Sequence, residues 1–204
     1  MNWVLTMMVA SFGLNMISST PCLEIPFCHF LFICIGLLIH FVLGIDIGFR
    51  RTKKFLRESI TLGILIGVLD FIIQRFIFYK PRVFATYYSL IWYIFQMWFL
   101  IGFAEEIMFR GVIQTELMKT LPQDVKILGL NFKRGTLLAA IIFGLAHIIN
   151  IFTIANVCFV IGQVISAIIF GLIVGYFYQE TRSLIPAIII HNLANGIASI
   201  AYIL

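Results

Sequence analysis

Three short patterns hold the residues able to do chemistry: Glu105-Glu106-Ile107-Met108-Phe109-Arg110, Phe143-Gly144-Leu145-Ala146-His147 and His191-Asn192-Leu193-Ala194-Asn195. A carboxylate beside a neutral imidazole can take a proton from water and make it a nucleophile at neutral pH. A second imidazole and an amide can donate hydrogen bonds to the oxyanion of a tetrahedral intermediate. Glu105, His147, His191 and Asn195 therefore supply the groups needed to hydrolyse an amide with water alone. The sequence has no GxSx pattern to provide a serine nucleophile and no HExxH zinc helix.

Helical spacing sorts the roles. Glu106 and Arg110 are four apart, share a face and can form an ion pair that supports the site. Glu105 points about 100° away from Glu106 and is left without that partner. His191 and Asn195, again four apart, present two hydrogen-bonding groups on one face. Only tertiary packing can unite the three patterns, because each lies in a different apolar run. Ionisable groups in such runs are costly and usually functional.

The runs themselves define the protein's solvent. Hydrophobic residues make up 62% of the 204 positions and charged residues 11%. Soluble domains average about 45–50% and about 25%. The reading is all-α: one polytopic transmembrane helical bundle of about seven spans, since only helices pair every backbone group in lipid. The spans fall near Trp3–Ile17, Pro26–Ile45, Ile60–Phe78, Ser89–Phe109, Gly135–Phe152, Val157–Tyr178 and Leu184–Leu204. A polar loop separates the fourth from the fifth. Residues 1–88 form N-terminal transmembrane helices without a motif, and 89–204 form the catalytic core.

The net charge of +5 comes from Lys and Arg in short loops, which sets topology and gives no nucleic-acid surface. Loops after spans two, four and six carry five, four and one of these residues, against Arg75, Lys80 and Arg82 on the other side. The Arg50–Arg57 loop is thus predicted to be cytoplasmic, with the active site toward that side of a cell membrane. Glu105 is placed near the cytoplasmic end of span four, with His191 about 10 Å and His147 about 18 Å from that side. No Lys or Arg precedes Arg50, so no signal peptide is predicted. Tyr79, Tyr87, Tyr88, Tyr176 and Tyr178 are assigned to an interfacial belt. Cys22, Cys28, Cys34 and Cys158, which lack metal spacing, are assigned to packing. Gly63 with Gly67, and Ala167 with Gly171 and Gly175, have the spacing of close helix contacts.

On its motifs EExxxR at Glu105–Arg110, FxxxH at Phe143–His147 and HxxxN at His191–Asn195, the chain resembles the CPBP (CAAX protease and bacteriocin-processing, or Abi) intramembrane glutamic proteases. These are relatives of the type II CAAX prenyl proteases. The likeness covers about Ser89–Leu204 and includes the approach Thr181-Arg182-Ser183-Leu184-Ile185-Pro186. It implies a core open to cytosol and lipid, with water activated by Glu105 and His147 and an oxyanion site at His191 and Asn195. Two His and one Glu could bind zinc, but the expectation is no cofactor. The implied partners are the bilayer and a peptide or membrane-protein substrate, with no nucleic acid. Bacteriocin immunity or peptide maturation is the setting that small bacterial relatives suggest. A non-catalytic membrane immunity or scaffold protein is the alternative.

Overall fold

A computed structural model describes residues 27–76, 87–152 and 157–204. The first expected span, Trp3–Ile17, lies outside them, as do Tyr79, Lys80 and Arg82. Helix α1 is Phe27–Leu43 and α2 is Leu56–Phe76. Helix α3 runs without a break over 87–120, with π-helical turns at Gln96–Leu100 and Ile107–Gln114. A β-hairpin follows, β1 at Asp124–Ile127 and β2 at Leu130–Lys133. Helix α4 is Arg134–Ala146, continued by a 3-10 turn at His147–Phe152. Helices α5, Val157–Thr181, and α6, Leu184–Ser199, complete the fold.

Four of the described helices are long and apolar enough to cross a membrane: Leu90–Thr120, Arg134–Ile151, Val157–Thr181 and Leu184–Tyr202. Helix α1 is apolar but shorter. The chain is thus a polytopic helical membrane protein, in which four of the described helices meet the length and composition of a span. Its exterior fits lipid. On α5, Val157, Ile161, Ile165 and Ile169 recur every four residues, and all are exposed. A stripe of this kind would be a liability in water and is ordinary against acyl chains.

The fourth span is longer than its apolar run suggests. The helix passes Phe109 and continues to Thr120 because its polar residues find partners on neighbouring helices. Gln114 donates to Thr136 Oγ1 at 3.1 Å and to the Gly175 carbonyl at 2.8 Å. Thr115 Oγ1 lies 2.6 Å from the Tyr178 hydroxyl. Tyr178 is therefore buried in the bundle and does not join the interfacial belt. Cys34 and Cys158 also depart from expectation, since both are exposed on helix surfaces.

The hairpin replaces the loop expected after span four. Its strands pair in antiparallel register from Asp124 with Lys133 to Ile127 with Leu130. Leu128 and Gly129 both take positive φ, the pattern of a two-residue hairpin turn. Gln179 clips the hairpin to α5, accepting from the Lys133 amide at 2.8 Å and donating to the Asn131 carbonyl at 2.9 Å.

Two arrangements hold the site-bearing helices. Gly63 and Gly67 put α2 flat against α6: a Cβ at Gly63 would sit 3.1 Å from Ile190 Cα, and one at Gly67 3.0 Å from the Leu193 carbonyl oxygen. The small-residue spacing thus serves packing behind His191. The loop after α1 is stitched to the α5–α6 turn at three points. Ser183 Oγ caps α6 at the Ile185 amide and donates to the Arg50 carbonyl. Leu184 N donates to the Gly48 carbonyl, and Lys54 pairs with Glu180. In that loop Asp46 accepts from the Gly48 amide and pairs with Arg50, which holds its carboxyl below the usual range.

Candidate functional site

Glu105 and Glu106 lie between the two π turns of α3. A π turn adds a residue to the helical repeat and rotates the face that follows, which is why such turns recur at functional sites. Counted from Thr120, Glu105 is about 22 Å along the helix. That corrects its expected position near the span's end and brings it level with His147, about 20 Å into α4.

The two neighbouring carboxylates have different surroundings. Glu106 is fully buried, with one oxygen 2.8 Å from Arg110 Nε and the other 2.7 Å from His191 Nδ1. It therefore bridges two residues, whereas helical spacing alone gave it only Arg110. Glu105 keeps 16% of its side chain exposed, whereas Glu106 keeps none. Its Oε1 is 3.5 Å from His29 Nε2, and its Oε2 is 3.8 Å from His191 Nε2. His147 is within Coulombic range of the same carboxylate.

Phe143 forms a floor under these groups. Its ring is buried and lies 5.0 Å from the Arg110 guanidinium carbon. Its centroid is 5.2 Å from that of His147 and 6.1 Å from that of His191, edge-on to both. Phe170 closes the other side of His191, with centroids 4.9 Å apart. One aromatic residue thus links all three sequence patterns.

The hydrogen bonds also assign protons. His147 Nδ1 faces the Phe143 carbonyl at 3.0 Å. A carbonyl only accepts, so Nδ1 carries hydrogen and Nε2 of the neutral ring is the free acceptor. His191 Nδ1 likewise donates to Glu106, which turns its Nε2 toward Glu105.

The structure therefore gathers Glu105, Glu106, Arg110 and His191 by direct contact and sets His147 against Phe143 on the same side. Asn195 is one turn beyond His191 on α6, half-buried. His29 stands outside the three motifs. Its signal in the sequence is a face on α1, where His29, Phe32, Gly36 and Ile39 recur at three- and four-residue spacing. Among the described residues, no three His, Cys, Asp or Glu side chains are arranged as they stand to hold a metal ion.

A family model described as type II CAAX prenyl endopeptidase, Rce1-like, matches residues 87–197, more than half of the chain. No curated protein and no solved structure matches it.

Proposed function

We propose that this chain, which belongs to the Rce1-like family of type II CAAX prenyl endopeptidases, is an intramembrane endopeptidase that cleaves a peptide bond with water activated by Glu105 and His147. The observation that carries the reading is the division of labour between adjacent carboxylates. Glu106 is sealed between Arg110 and His191, whereas Glu105 is partly exposed and ringed by imidazoles. A base must reach its water, and of the two carboxylates only Glu105 has an exposed oxygen-bearing surface from which to do so.

In this reaction Glu105 takes a proton from water, and the hydroxide adds to the scissile carbonyl carbon. His147 accepts a second hydrogen bond from that water through Nε2 and fixes its direction of attack. The oxyanion then receives hydrogen bonds from His191 Nε2 and the Asn195 amide. Donation from Nε2 requires His191 as imidazolium, whose charge Glu106 offsets at Nδ1. As the tetrahedral intermediate collapses, Glu105 returns its proton to the leaving amine. Atoms balance with one water consumed, and no metal takes part.

The substrate is a peptide or a membrane-associated protein. The family is one of CAAX prenyl endopeptidases, which points to prenylated chains, and bacteriocin immunity or maturation of a secreted peptide is the setting we favour. The scaffold alternative fails if cleavage is seen. In reconstituted vesicles, turnover of a fluorogenic CAAX peptide should be unaffected by a strong chelator. Full inhibition reversed by zinc would overturn the metal-free reaction.

Loss of one oxyanion donor costs about 10²–10³ in rate. Asn195→Ala should therefore leave a slow but measurable protease with KM little changed. Wild-type rates in that variant would remove Asn195 from the site.

The site is proposed to face the cytoplasmic side of a cell membrane. Lys54 and Lys126 are both exposed and sit in the loops with the charge excess. In a background without native cysteines, Lys54→Cys and Lys126→Cys should resist an impermeant maleimide until cells are opened. Ready labelling of intact cells would reverse the orientation.

A further inference from the structure

Helix α1 lies outside the family match and still reaches the site. One of its faces, Phe32, Gly36 and Ile39, is docked: Phe32 and Ile39 are buried, and the Phe32 ring meets Phe109 edge-on at 6.1 Å. A Cβ at Gly36 would overlap the Ile107 side chain, so the two helices touch closely there. His29 is on the same face, one turn before Phe32. This docking puts its Nε2 3.5 Å from Glu105 Oε1, while His191 Nε2 approaches the other oxygen at 3.8 Å. Two imidazoles from helices distant in sequence thus flank one carboxylate.

We propose that His29 is a positioning residue of the site, one that holds Glu105 in the orientation from which it takes a proton from water. The inference rests on Glu105 being the base. At 3.5 Å the contact is long for a hydrogen bond, and it becomes an ion pair only where His29 is protonated. His29 therefore acts by steering the carboxylate and passes no proton to substrate. Among the described residues, the other charged or titratable groups around Glu105 are Glu106 and Arg110 on its own helix, His147 on α4 and His191 on α6. None of these lies on α1, so His29 is that helix's own contribution to holding the base.

The test uses the full chain in nanodiscs with two fluorogenic probes, a farnesylated CAAX peptide and its unmodified counterpart. His29→Phe keeps ring volume and loses the polar nitrogen, and should lower kcat about 10–100-fold with KM within about twofold. His29→Gln places an amide donor near the Nε2 position and should recover most of the rate. A packing role predicts the reverse order, with Phe tolerated and Gln not. Wild-type kcat in His29→Phe while Glu105→Gln is dead would overturn the inference and leave the base intact. Full activity in Glu105→Gln would overturn both. If neither probe is cut, imidazole nitrogen resonances decide: the His29 signal should move on Glu105→Gln, and an unmoved signal overturns the proposal.

Discussion

Glu105→Gln should abolish hydrolysis while leaving the protein folded at normal abundance in the membrane. The substitution keeps the side chain's shape and removes the one carboxylate that, among the described residues, is both partly exposed and flanked by imidazoles. General-base catalysis contributes about 10²–10⁴ in rate. No serine motif waits to take over, so turnover should fall by at least the upper end of that range. His147→Ala should produce a loss of similar size, because the water would lose its second acceptor. The assay is a single-turnover rate in vesicles, read beside thermal unfolding of the same sample. Full activity in both variants would remove catalysis from these residues and leave the non-catalytic scaffold as the better description.

Arg110→Ala should do the opposite, damaging the fold first and activity in consequence. Arg110 and Glu106 are both completely buried and meet at 2.8 Å, and Glu106 also holds His191. Removing one partner of a buried pair leaves an uncompensated charge and costs about 3–5 kcal/mol. That is a large part of a typical domain's stability, about 5–15 kcal/mol. Glu105→Gln, by contrast, should cost less than about 1 kcal/mol, since Glu105 is less buried and its imidazole contacts at 3.5 and 3.8 Å are longer than those of Glu106. Unfolding temperature and detergent-extracted yield of the two variants check this. If Glu105→Gln unfolds the protein and Arg110→Ala does not, the roles of the neighbouring carboxylates are exchanged.

Part of the candidate site is legible in the sequence because helical periodicity is local. Four-residue spacing is enough to pair Glu106 with Arg110 and to turn Glu105 away from both. Long-range partners leave no such trace. The bond from Glu106 to His191 joins positions 85 apart, so spacing along one helix shows only the Arg110 half of what Glu106 holds. His29 was hidden for a different reason: one histidine in an apolar run looks like a packing residue until α1 is docked.

The fold shows the same division between local and distant information. Composition alone gives a helical membrane protein. The end of α3 could not be placed, because Gln114 and Thr115 read as polar boundary residues until Thr136, Gly175 and Tyr178 are brought beside them. Tyr178 reads as an interfacial residue until Thr115 is brought against its hydroxyl. The hairpin did carry a signal, with Asp124-Val125-Lys126-Ile127 alternating polar and apolar before a Leu-Gly turn. Against strong helical runs on either side, four residues of alternation are easily passed over.

The chemistry itself is tested most directly by isotope tracing. Single-turnover cleavage in water enriched in oxygen-18 should place one heavy oxygen in the new C-terminal carboxylate of the product. The enzyme peptide containing Glu105 should stay unlabelled, since Glu105 passes a proton and never bonds to the substrate. Heavy oxygen in Glu105 itself, or an acyl adduct on the enzyme, would mean that a side chain attacks the peptide bond and that water is not the nucleophile.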